Sequence, residues 1–178
     1  MTARHIYVDE TKERDYVLVA SVHLGTTEAN TLRKAMRGFV LRGQTRIHLA
    51  KESNSRRGAI VDAICDAGVT ATIYDAGRNY ASQLDARAAC LQAIINDVRA
   101  DDQTLLVLEQ DDSLLQWDKR FLYHAVHAAG LADALRYEHH RAKNELLLTI
   151  PDAIAWCWAR GGSWRRRIEP AVVTVRRV

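Results

Sequence analysis

The sequence predicts an α/β fold built on one mixed sheet, antiparallel at its start and parallel afterwards, with helices on both faces. Three observations carry that prediction. Two apolar runs stand side by side near the N-terminus: Ile6 and Val8 alternate with His5, Tyr7 and Asp9, and residues 16–22 (Tyr-Val-Leu-Val-Ala-Ser-Val) follow after a short polar turn. Adjacent early strands of this kind pair as a hairpin. Helical and strand-like segments then alternate, which requires parallel strands joined by crossover helices. The run 104–108 is apolar throughout, as suits a strand buried on both faces.

The elements follow in order. Residues 26–40 place Ala29, Leu32, Met36 and Phe39 at helical spacing, with Thr27 or Asn30 as a cap. Residues 46–50 suggest a short strand. Residues 52–67 form a helix with Ile60, Val61, Ile64 and Cys65 inward and Gly68 past its end. A β-branched strand spans 69–74, closed by Asp75-Ala76-Gly77. Residues 79–100 are the clearest helix, with a stripe of Leu84, Ala88, Leu91, Ile95 and Val98. Further elements are a helix over 113–129 ended by Gly130, a strand over 134–139, a helix over 147–159 terminated by Gly161-Gly162, and a last strand over 171–175.

The chain has 178 residues, enough for one domain with a sizeable core. Every apolar run is interrupted well short of a membrane span, and no basic leader with an apolar segment opens the chain. Cys65, Cys90 and Cys157 are odd in number and widely spaced, so they read as free thiols in a reducing compartment, and a cytoplasmic location is expected. Net charge is +3, but residues 159–178 carry six arginines against Glu169 alone, which is +5 and leaves −2 for the rest. This basic C-terminal segment suits phosphates; it also suits an ordinary solvated edge. Within it, Trp164 beside Arg165, Arg166 and Arg167 is the candidate for stacking on a nucleobase.

The candidate chemistry lies in acids at strand ends. In parallel sheets functional groups collect at the carboxyl ends of strands. Asp9-Glu10 closes the first strand, Asp75 another, and Glu109 the apolar strand that runs on to Asp111 and Asp112. Asp152 follows Pro151 near a helix N-terminus, where the helix dipole keeps a carboxylate ionised. Each acid also has an ordinary reading: Asp9 and Asp75 as turn residues, Asp111 and Asp112 as caps, Asp152 as a cap of its own helix. Glu10 points away from Asp9 unless the strand ends there. If Asp9, Glu109 and Asp152 converge, their oxygens suit magnesium or manganese. His48, His139 and His140 are candidate proton carriers, whereas His124 and His127 lack the further ligands of a zinc site.

With these residues in view, the sequence resembles the ribonuclease-H-like superfamily, nearest to the uncharacterised bacterial domain-of-unknown-function family 3800. Asp9-Glu10-Thr11-Lys12 stands where that family has Asp-Glu-Ser-Gly, and Ile47-His48-Leu49-Ala50-Lys51 resembles its histidine-bearing segment. Glu109 falls on its strand-end acid, and residues 148–155 resemble its closing helix, with Asp152 on the acid. Three positions depart from the pattern: Thr11-Lys12 replaces Ser-Gly, Arg46 stands where an acid is expected, and Glu109 replaces an aspartate. The resemblance implies a three-layer ribonuclease-H-like domain over residues 1–178. It also implies a metal-dependent nuclease using Mg2+ or Mn2+ on Asp9, Glu109 and Asp152. The departures and the basic tail support an alternative, a catalytically inactive module of the same fold that binds nucleic acid or a protein partner. A protein-interaction role without nucleic acid is a third reading.

Overall fold

The computed structural model describes the backbone from residue 3 to 178 and the side chains of residues 4–18 and 25–178. A six-stranded sheet runs in the order β5-β4-β1-β2-β3-β6. Strands β1 (Ala3–Thr11) and β2 (Tyr16–Leu24) form the predicted antiparallel hairpin. β3 (Thr70–Gly77) is antiparallel to β2, and β6 (Val172–Arg177) runs parallel to β3 at one edge. On the other side of the hairpin, β4 (Gln103–Glu109) is parallel to β1 and β5 (Leu135–His140) is parallel to β4. β1 is therefore interior to the sheet, and its carboxyl end lies beside that of β4.

Two cores sandwich the sheet, because successive residues of a strand point to opposite faces. One holds Tyr7, Val17, Ile73 and Val107 under helices α1 (Gly25–Arg37), α2 (Asn54–Asp66), α5 (Thr149–Arg160) and α6 (Gly162–Ile168). The other holds Ile6, Val8, Leu18, Leu106 and Leu108 under α3 (Gln83–Asp97) and α4 (Leu115–Ala128). This is a three-layer architecture, as expected, and its mixed sheet begins antiparallel and continues parallel.

Several local expectations are corrected. Residues 46–50 form no strand. The Leu49 amide donates to the Asp152 carboxylate at 2.9 Å rather than to a neighbouring strand, and a 3-10 turn follows at Leu49–Lys51. α1 starts at Gly25, so Thr27 and Asn30 lie within it and do not precede it. α3 begins later than expected because Ser82 caps it: the hydroxyl accepts from the Asp85 amide at 3.1 Å and donates to the Asp85 carboxylate at 2.7 Å. Its buried stripe is Ala86, Arg87, Cys90, Leu91, Ile94 and Ile95, while Leu84 is exposed. Gly161, at φ 71°, ends α5 as expected, but the chain re-enters a helix at once as α6. All three cysteines are free. Among the described residues no helix is long and apolar enough to cross a membrane.

Candidate active site at the carboxyl ends of β1 and β4

Asp9 and Glu109 each stand one residue beyond the paired Val8 and Leu108, so they are neighbours across adjacent parallel strands. Alternation puts both on the face of Tyr7 and Val107, the face that α5 covers. Both line one cavity of about 460 Å³ at the strand ends, together with Glu10, Arg87, Asp111 and Asp112. Asp152 sits in the first turn of α5 and lines an adjacent cavity of about 350 Å³ with His48 and Trp156. Glu10 borders both cavities.

The charges explain the character of the site. Asp9 accepts the Glu10 amide at 2.7 Å. Its carboxyl is pushed well above the usual carboxylate range, first by desolvation and then by repulsion from Asp152 and Glu109. Asp9 is thus the acid least compensated by protein cations. Its two companions each have a basic partner. Glu109 accepts from the Arg46 guanidinium at 2.7 Å, and Asp152 lies 3.0 Å from Nδ1 of His48 while also accepting the Leu49 amide. The hydrogen bond to Asp152 raises the pKa of His48 above its ordinary value. Three oxygen donors of this kind suit a hard divalent cation. As they stand, no three His, Cys, Asp or Glu side chains among the described residues are grouped to hold one.

Glu10 belongs to the opposite face. It accepts from Arg87 and from the Tyr16 hydroxyl, and Lys12 pairs with it at 2.7 Å. Arg87 holds Asp118 bidentately at 2.7 Å through both bonds, and Nε2 of His139 lies 3.1 Å from Asp118. His139 is therefore tied to this buried network and not to the Asp9 cavity, and His140 pairs with Glu138 at 2.8 Å. Asp75 lies within β3, paired with Val17 and Arg177, and is not the expected turn residue; its carboxylate accepts the Gly77 amide at 2.9 Å. Asp111 bonds Ser113, and Asp112 pairs with Arg141, so neither caps α4 by side chain.

The basic segment is less free than its composition suggested. Arg167 pairs bidentately with Asp62 at 2.7 Å and lies against Gly58 of α2, where a Cβ would meet its guanidinium at 3.1 Å. Arg165 donates to the Trp158 carbonyl at 2.6 Å, and Trp164 packs edge-on against Trp156 at 5.3 Å. Arg166 is exposed. Sequence reasoning sets Trp156 aside as a stacking residue, because Trp156 and Trp158 are two apart and a helix points them in different directions. It passes over Arg87 and Asp118, whose signal is a charged residue inside an otherwise apolar helix face.

No known protein-family profile matches the sequence, and no curated protein matches it. Among solved structures, the chain is similar to ribonuclease HII in the structure of the PCNA:RNase HII complex from Archaeoglobus fulgidus. The TM-score is 0.56 at 15% identity, covering 95% of this chain and 75% of that one. That likeness defines the class: a protein of ribonuclease-H-like fold. Identity this low carries the fold alone.

Proposed function

We propose that the protein is a metal-dependent nuclease that hydrolyses phosphodiester bonds of nucleic acid, allied to the domain-of-unknown-function family 3800. One observation carries this reading. Asp9, on an interior strand beside Glu109, has a carboxyl disfavoured by burial and by the charges of Glu109 and Asp152. Such a cluster calls for an added cation. Asp9 would be its central ligand, with Glu109 and Asp152 flanking. A divalent ion held by Asp9, Glu109 and Asp152 would supply the charge that activates a water and stabilises the leaving oxygen. His48, whose pKa is raised first by its hydrogen bond to Asp152, is the side chain this reading assigns to carry the proton for the departing oxygen. Lys12 lines the Asp152 cavity and would meet a substrate phosphate only by leaving its pair with Glu10.

The test is cleavage of labelled DNA and RNA oligonucleotides with Mg2+ or Mn2+. Asp9→Asn and Asp152→Asn are expected to lose activity by more than about 100-fold, the scale set by losing a group that stabilises charge in the transition state. Cleavage by Asp9→Asn at the parent rate would end the proposal.

A second reading, the inactive binding module, is favoured by one specific observation: Arg46 and His48 already occupy two of the acids. Calorimetric titration with Mn2+ separates the two. On the nuclease reading, Arg46→Ala removes a competing cation and tightens Mn2+ binding by about two- to five-fold, the scale of a partly exposed ion pair. No Mn2+ binding at millimolar concentration in either protein supports the inactive module.

A further inference from the structure

We infer that the substrate is a single strand, threaded along α5 from the carboxylate cluster past Trp156 to Trp158. This inference rests on the nucleic-acid reading above but not on catalysis. Two cavities lie side by side on this face and share Thr11. The first, about 350 Å³, carries His48, Asp152 and Trp156. The second, about 300 Å³, carries Trp158 with Arg14, Arg165 and Arg177. Trp156 and Trp158 are both only partly buried, and each has an arginine on its ring: Arg57 lies 4.6 Å from the Trp156 centroid and Arg165 lies 4.4 Å from that of Trp158. Alternating aromatic rings and guanidinium groups form a platform on which successive bases stack while the backbone follows positive charge.

The first cavity carries Glu10, Glu13 and Asp152 beside Lys12 and His48, so the charge that fits this occupant lies in the second. The aspartates of the second cavity are already engaged: Asp15 pairs with Arg78 at 3.3 Å, and Asp75 accepts the Gly77 amide at 2.9 Å. Among the described residues, Arg14 and Arg177 form no ion pair, and both are exposed. Their charge is therefore available to phosphates. A duplex is disfavoured because its bases are stacked inward and cannot reach rings set in recesses, whereas splayed bases can. The track also ends at Asp152, so a strand lying on Trp156 brings its backbone to the acidic cluster.

The test is fluorescence anisotropy of a labelled 12-nucleotide oligothymidylate, the corresponding RNA and a 12-base-pair duplex, all in EDTA so that nothing is cleaved. Both single strands are expected to bind more tightly than the duplex. Trp156→Leu is expected to weaken single-strand binding by about 5- to 150-fold, the range for one stacked base. Arg14→Ala/Arg177→Ala, at exposed positions, is expected to reduce the slope of log affinity against log salt by about 0.7 for each phosphate no longer neutralised. Arg120→Ala, exposed on α4, is expected to leave binding unchanged. If Trp156→Leu does not fold, the double arginine variant decides alone. Preference for duplex, or unaltered binding in the folded variants, overturns the inference. A protein that binds single strands but never cleaves with metal keeps this inference and loses the nuclease. One that cleaves with unaltered affinity after these substitutions does the reverse.

Discussion

Arg87→Met is expected to lower stability by about 3–5 kcal/mol, the cost of leaving a buried charge without its partner. In a chain of this size that corresponds to a fall of about 6–20 °C in Tm. The side chains of Arg87, Asp118 and His139 are only 7%, 1% and 5% exposed, so Asp118 is left largely desolvated when the guanidinium is removed. Burial alone would push the Asp118 carboxyl up; the hydrogen bonds from His139 and Arg87 outweigh it and hold the carboxyl below its ordinary value. A lowered native value means that this stability is present above the unfolded-state value and is lost as pH falls through the native one. The parent is therefore expected to be acid-labile through Asp118, and Arg87→Met to show a weaker acid dependence. Replacing Arg87 and Asp118 together with Met and Leu is expected to recover most of the loss, because an apolar pair of similar volume substitutes well for a buried ion pair. Urea denaturation measures all three proteins. A loss under about 1 kcal/mol in Arg87→Met would mean that the network is solvated and contributes little.

The position of that network gives it a second consequence. Glu10 and Asp9 are consecutive on β1, so a lock on one face fixes the backbone whose next side chain serves the other. Arg87 grips Glu10 from α3, and Asp118 grips Arg87 from α4. The end of β1 is thereby tied to both helices of the layer opposite α5, and Arg87 and Glu10 themselves border the cavity of Asp9 and Glu109. A carboxylate that must sit among other carboxylates needs such an anchor, because repulsion otherwise favours a frayed strand end.

The hairpin and the parallel order after it were legible because period-two alternation at Ile6 and Val8 and the unbroken run 104–108 report burial directly. The convergence of Asp9 and Glu109 was legible for the same reason, since two parallel strands that share a sheet deliver their terminal residues to one edge. Side-chain pairing was not legible. The helix over 79–100 was read as a stripe through Leu84 and Ala88, and the face turned by one residue because Arg87 has a partner inside. A charged residue scores as a surface residue until its counter-ion is known. The segment 46–50 reads as a strand by composition, yet its amide at Leu49 is taken by a carboxylate from α5, a partner 103 residues away in sequence. The arginine run shows the limit of composition from another side: it counts charges, while the Arg167–Asp62 pair compensates one of them and the Arg165–Trp158 hydrogen bond fixes the direction of another.

Asp9→Asn is expected to make the metal-free protein more stable at neutral pH while abolishing its response to metal. The carboxyl of Asp9 is disfavoured by desolvation, by Asp152 and by Glu109, so the folded state binds its proton more tightly than the unfolded state does. Stability from this group is then fully present below the unfolded value and is lost as pH rises through the raised native one. Asparagine keeps the shape and carries no charge, so the difference between variant and parent is expected to vanish in acid and grow towards neutrality. There it should reach about 1–3 kcal/mol, the cost of a buried polar group without adequate compensation. That gain is about 2–12 °C in Tm. Saturating Mn2+ is expected to invert the order. The parent gains about 2.7 kcal/mol when the ion is at about a hundred times its dissociation constant, while the variant, lacking the central ligand, gains little. Thermal scans at several pH values, with EDTA and with Mn2+, measure both halves. If Asp9→Asn is the less stable protein at every pH without metal, Asp9 is there for its hydrogen bond to the Glu10 amide, and the strand end is a turn rather than a site.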